Sequence, residues 1–160
     1  KKELLTIVEN CMVVPENPPQ TFQQALQMVW FAHVYFQIEV CTTACGFGRF
    51  DQYMWPYYKK DVIEEQNITQ EEALEMLECF YLKACEVYEV RDKWYATSFA
   101  DYPMWEILVV GGQTPDGKDA TNDLSYLCLE AANQLKTTQP VMAVRTWEGT
   151  PEALFRKAVR

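Results

Sequence analysis

The stretch that decides the fold is Glu106-Ile107-Leu108-Val109-Val110-Gly111-Gly112. An unbroken aliphatic run closed by two glycines is too short for a helix, and it reads as a buried strand from Glu106 to Val110. A second short apolar run, Val141 to Val144, follows Pro140 and ends at Arg145. Between them lies a turn-rich loop, Thr114 to Thr121, containing Pro115-Asp116-Gly117. Asn122 or Thr121 is placed to cap a helix reaching about Leu135. Two buried strands joined through a helix predict a right-handed parallel crossover.

Upstream the pattern is helical. Thr69-Gln70-Glu71-Glu72 is a capping box opening a long helix to about Val90, with apolar positions 73, 74, 77, 80, 81 and 84 on one stripe. Thr21 with Gln24 opens an earlier helix from Phe22 to about Val40, apolar on nearly every face and so expected to be buried. Gly46 and Gly48 break the pattern around Phe47. A helix is predicted to resume near Arg49 and run through Tyr58 to about Glu65, with Pro56 kinking or restarting it. Residues 3–12 form a short helix, and Pro15, Pro18 and Pro19 mark an extended connector. Residues 91–103 read as an irregular aromatic loop, and Thr150-Pro151 starts a last helix. All six glycines are placed in loops or turns. The class is α/β and helix-rich, with short buried parallel strands and residues 1–160 as one unit.

Composition narrows the function. With 49% hydrophobic and 14% aromatic residues in 160, the chain can bury a core. A net charge of −9 argues against nucleic acid. No basic amphipathic stretch suits a membrane surface, and the run Val29 to Val40 is too short and too polar to span one. The chain begins at Lys1 with nothing resembling a signal peptide, and it stops at Arg160 inside a predicted helix. The expectation is a cytoplasmic piece of a longer protein. Its six cysteines, at 11, 41, 45, 79, 85 and 128, are then reduced thiols, with Cys41 and Cys45 as buried packing thiols, and the sequon at Asn67-Ile68-Thr69 carries no information.

Little in the residues alone carries chemistry. Cys41 and Cys45 would share a helix face, but an iron–sulfur spacing would need a further cysteine where Gly48 stands, so no metal site is expected. His33, in an apolar helix, reads as a core histidine. Glu71, Glu72, Glu75 and Glu78 form a solvated helix face. Gly46-Phe47-Gly48 lacks the pattern of a phosphate loop, and no strand is predicted before it. Trp94, Tyr95, Phe99, Tyr102 and Trp105 crowd the segment before the first strand, either as loop packing or as a pocket wall.

Longer strings then carry a resemblance: Thr21-Phe22-Gln23-Gln24-Ala25-Leu26-Gln27-Met28-Val29-Trp30-Phe31; Gly48-Arg49-Phe50-Asp51-Gln52-Tyr53-Met54-Trp55-Pro56-Tyr57-Tyr58; Val110-Gly111-Gly112; Asp116-Gly117-Lys118-Asp119-Ala120-Thr121-Asn122-Asp123-Leu124-Ser125-Tyr126-Leu127; Gln139-Pro140; and Val144-Arg145. In this order, over nearly the whole chain, they resemble the pyruvate formate-lyase-like domain of glycyl radical enzymes. The resemblance implies part of an α/β barrel of two opposed parallel half-sheets, within a large anaerobic enzyme. A backbone glycyl radical elsewhere in the full chain, installed by an S-adenosylmethionine iron–sulfur activase, would generate a thiyl radical that abstracts a substrate hydrogen. The implied partners are the remainder of the enzyme, the activating enzyme, a small organic substrate and a second copy in a homodimer.

Neither radical-bearing loop is found in these 160 residues, and none of the six cysteines matches the thiyl position. The segment is therefore expected to bind no cofactor, to hold no catalytic residue and to be inactive alone. Its role is scaffold and part of the substrate-binding wall. The positions matching a substrate-binding His-Ser pair of diol dehydratase-like members are Thr43 and Ala44, which puts a glycerol-type dehydratase in doubt. Tyr102 matches a substrate-contacting tyrosine, and Met104 and Trp105 follow it. With Phe99 these residues imply an apolar, aromatic wall and favour an apolar substrate, as in fumarate-adding synthases or arylacetate decarboxylases. A diol dehydratase or amine lyase of the same family is one alternative. A non-catalytic acidic helical interaction domain that keeps the scaffold is the other.

Overall fold

The computed structural model describes residues 2–40, 44–86, 92–98 and 105–159. The two predicted strands are present, as β2 (Ile107–Gly111) and β3 (Val141–Arg145), and they pair in parallel with Leu108 opposite Met142 and Val110 opposite Val144. A third strand, β1 (Gly48–Arg49), pairs in parallel with Leu108 and Val109, so the sheet order is β1-β2-β3. The sequence reading misses β1 and takes Gly48 for a loop residue. A strand of two residues has no period to detect, and Gly48 sits in it at a φ of +65°.

Around the sheet run α1 (Lys2–Cys11), α2 (Phe22–Val40), α3 (Phe50–Tyr58), α4 (Gln70–Glu86), α5 (Lys93–Ser98), α6 (Asp123–Leu135) and α7 (Glu152–Ala158). The predicted caps form. Thr69 and Glu72 exchange backbone-to-side-chain bonds of 2.8 and 3.1 Å at the start of α4. Asn122 and Ser125 do the same at α6. At α2 the Thr21 hydroxyl accepts from Gln24, but the Gln24 side chain reaches back to the Gln20 N–H, not to Thr21. Pro56 neither stops nor restarts its helix. α3 passes directly into a π-helical turn, Lys59–Glu64, a wider spiral that follows the proline's missing N–H. That turn points Asp61 at α2, where its carboxylate accepts the Phe22 N–H at 2.6 Å.

Two further expectations need correction. Part of the region read as an irregular loop is helical, since Asp92 caps α5 through the Trp94 and Tyr95 N–H groups. And α2 is not buried on every face. Phe22, Ala25, Leu26, His33 and Gln37 are buried, while Phe31, Tyr35, Phe36, Ile38 and Val40 are exposed.

The core lies between the sheet and the helices. Leu108 and Val110 meet Phe47, Phe50 and Met54, Phe80 and Tyr81 of α4, and Leu124, Leu127 and Cys128 of α6. Each fully buried aliphatic side chain here contributes about 1.5–3 kcal/mol. Of the described cysteines, all free, only Cys128 is fully buried; Cys11 and Cys79 are exposed, and Cys45, expected as a buried packing thiol, is half-buried.

Candidate functional site

Side chains alternate across a strand, so the sheet has two unlike faces. Leu108 and Val110, with Met142 and Val144, turn into the helical layer. Ile107 and Val141, paired with each other, turn away from it and are exposed. One step upstream Trp105 bridges Ala44 in parallel, and the ladder is continued by Cys45 N–H to Trp105 O at 3.1 Å and Phe47 N–H to Ile107 O at 2.8 Å. Trp105 is 41% exposed and Ala44 is exposed as well. Among the described residues the open face therefore carries Ala44, Trp105, Ile107 and Val141, and by the same alternation Val109, Ala143, Arg49 and the exposed Arg145 toward its far end. Gly46 keeps it shallow, because an added Cβ would lie 3.3 Å from Ile107 O.

Glu106 separates Trp105 and Ile107 and points the opposite way. It is fully buried. Its Oε1 lies 2.6 Å from His33 Nε2, its N–H donates to Gln139 Oε1, and its carbonyl accepts from the Val141 N–H. Burial raises the Glu106 carboxyl, and the His33 contact draws it partly back. His33 stacks between Trp30 and Phe47, and Gln37 Nε2 is 3.4 Å from its Nε2. Burial, then the Glu106 charge, pushes the Cys45 thiol up. Among the described residues no group of three or more His, Cys, Asp or Glu side chains is placed to hold a metal ion, and no helix is long and apolar enough to cross a membrane.

The far end of the sheet shows what the longest sequence strings do. Arg49 donates to Gly111 O at 3.0 Å. Asp51 Oδ2 accepts the Gly111 N–H at 2.7 Å and the Ser125 hydroxyl at 2.5 Å. Gln52 donates to Ala120 O, Tyr53 to Phe47 O, and Asn122 Nδ2 to Asp51 O. These side chains tie β1, α3, the Gly111–Gly112 turn and α6 into one corner. Burial raises the Asp51 carboxyl, opposed by its bonds to Gly111, Ser125 and Gln52 and by the Arg49 charge.

The chain is matched over nearly its whole length by known proteins. The family model described as "Pyruvate formate lyase-like" matches residues 1–160. The chain belongs to the pyruvate formate lyase-like family of glycyl radical enzymes. An isethionate sulfite-lyase of Nitratidesulfovibrio vulgaris is 42% identical over 95% of the chain. A structure concerned with 1,2-propanediol dehydration in Roseburia inulinivorans superposes with a TM-score of 0.93 at 43% identity over 98% of the chain. A glycyl radical enzyme of Archaeoglobus fulgidus gives 0.90 at 36% over 98%. This pyruvate formate lyase-like chain spans only 18% of the length of that sulfite-lyase and 20% of each of those two structures.

Of the wall residues inferred from sequence, Ala44 and Trp105 are side by side on the open face. Thr43, Phe99, Tyr102 and Met104 lie outside the described residues, as does Cys41. Trp94, read with them, is on α5 and 74% exposed. The sequence reading missed the His33–Glu106 pair. Glu106 looks like the polar first residue of a strand, and His33 lies 73 positions earlier in the chain. The available signal was that each is a polar residue at a core position of its own element.

Proposed function

We propose that this chain forms one helix-backed wall of the reaction chamber of a glycyl radical lyase. The observation that carries the reading is the open sheet face of Ala44, Trp105, Ile107 and Val141, set against a face closed by the helices. In such an enzyme a thiyl radical raised elsewhere in the full chain abstracts a hydrogen from a small organic substrate. The wall's part is physical. Aliphatic and indole surface excludes water, offers no exchangeable S–H or O–H hydrogen to a radical, and fixes the substrate's carbon skeleton by contact. Polar recognition of the substrate then falls to Arg145, at the far end of this face, and to residues beyond it.

Two substrate classes are supported by different observations. Identities of 42–43% to the isethionate sulfite-lyase and to the 1,2-propanediol structure favour elimination of a leaving group from a short hydroxylated or sulfonated molecule. The apolar described wall favours a more hydrophobic or aromatic substrate. The test is the protein that carries this chain, activated anaerobically by its radical-installing partner and assayed with isethionate, 1,2-propanediol and an arylacetate. Turnover of either of the first two supports elimination chemistry, and turnover of the arylacetate alone supports the second class. A radical signal absent after activation would overturn the enzyme reading.

A further inference from the structure

Directly behind the open face lies a polar cluster to which the chamber reading gives no task. Glu106 is fully buried, His33 is 4% exposed, and Gln37 lies one helical turn beyond His33 on α2. A buried ion pair is weak support for stability, since well-packed apolar residues of similar volume do as well or better. This one is also incompletely satisfied: Glu106 Oε2 and Gln37 Oε1 are buried without a hydrogen-bond partner. Its setting points to a different use. Glu106 stands between two residues of the open face, and because side chains alternate, anchoring Glu106 to the helical side obliges Trp105 to face the other way. Before Ile107 the backbone is held by the Ala44–Trp105 bridge, the Cys45 N–H bond to Trp105 O and the two Glu106 main-chain bonds to Gln139 and Val141, and the Glu106 side chain adds an anchor to the helical layer that these main-chain bonds do not supply.

We propose that His33 and Glu106 are a positioning pair: their bond across the sheet, 2.6 Å long, holds the Trp105 indole forward over Ala44 and so sets the depth of the chamber wall. This rests on the chamber reading above. The pair acts through Trp105 and touches no substrate. The pair acts through its hydrogen bond, so two amides at the same places would hold the strand in the same register.

The experiment labels the protein that carries this chain with 5-fluorotryptophan, assigns the Trp105 fluorine resonance with W105F, and compares H33Q, E106Q, H33Q/E106Q and the core control L77A. Leu77 is fully buried and belongs to α4. In H33Q and E106Q the Trp105 resonance splits or moves by more than its linewidth, while Trp55 and Trp147 hold. In the double variant it returns to a single line near the wild-type position. L77A lowers the melting temperature and leaves Trp105 unmoved. An unmoved Trp105 line in both single variants, with melting lowered as in L77A, would overturn the proposal and leave the pair as core packing only. Should E106Q fail to fold, H33Q decides alone. The chamber reading fails separately, if neither isethionate nor 1,2-propanediol nor an arylacetate moves the wild-type Trp105 line and W105A leaves turnover unchanged.

Discussion

Replacing Asp51 by alanine tests whether the longest recognisable string in this chain is architecture. Asp51 Oδ2 is the shared acceptor for the Gly111 N–H at 2.7 Å and the Ser125 hydroxyl at 2.5 Å. D51A leaves the Gly111 N–H without its acceptor and the Ser125 hydroxyl with only the long contact to Asn122 Oδ1 at 3.4 Å, at about 1–3 kcal/mol each. Against that, the variant no longer buries a carboxyl whose desolvation is the largest influence on its ionisation. The net loss is then about 2–4 kcal/mol, a large fraction of the roughly 5–15 kcal/mol typical of a folded domain. The pH dependence has a definite sign. The folded carboxyl is raised above its ordinary 3.8, so its stabilising contribution is complete below that value and declines as pH rises through the folded pKa. D51N keeps one oxygen acceptor and cannot ionise. The gap between wild type and D51N is therefore widest in acid and narrows toward neutral pH. Urea unfolding across that range, read as a midpoint shift at constant slope, measures both quantities. A D51A loss under about 1 kcal/mol, or a D51N gap that widens with pH, would refute the reasoning.

Other expectations follow from the same geometry. Gly111 has a φ of +74°, and an added Cβ would meet Arg145 O and Leu154 Cδ2 at 3.1 Å, so G111A loses more than about 1 kcal/mol in the same urea assay. Thiol labelling in the native state modifies Cys11 and Cys79 first, with Cys45 slower because it is half-buried and burial pushes its thiol up. Cys128, whose thiol burial raises far above the usual range, reacts only on unfolding; mass spectrometry of a labelling time course gives the order. The exposed α2 residues Phe31, Tyr35, Phe36, Ile38 and Val40 drive concentration-dependent self-association of the isolated chain, and F31E/F36E lowers it in sedimentation velocity.

The elements with period or caps were legible in the sequence. The aliphatic run ending in Gly111-Gly112 gives β2, and Thr69-Glu72 and Asn122-Ser125 fix the starts of α4 and α6, because caps and strand breakers act over a few residues. The short β1 was not legible, since Gly48 and Arg49 become a strand only by pairing with Leu108 and Val109. The one-sided exposure of α2 was hidden for a related reason: a helix apolar all round does not declare which side the chain itself covers. At the candidate site, the Ala44–Trp105 neighbourhood was named from resemblance and the bridge between them is observed. The pairing of Glu106 with His33 behind it was missed because the two lie 73 positions apart and only the fold brings them together.

The central claim is that the open sheet face lines a radical enzyme's chamber, and Trp105→Ala in the activated protein tests it most directly. With whichever substrate that protein turns over, the account predicts kcat/KM reduced by about tenfold or more, while the glycyl radical content measured by electron paramagnetic resonance equals that of wild type. Equal radical content with kcat/KM within about twofold of wild type would contradict it.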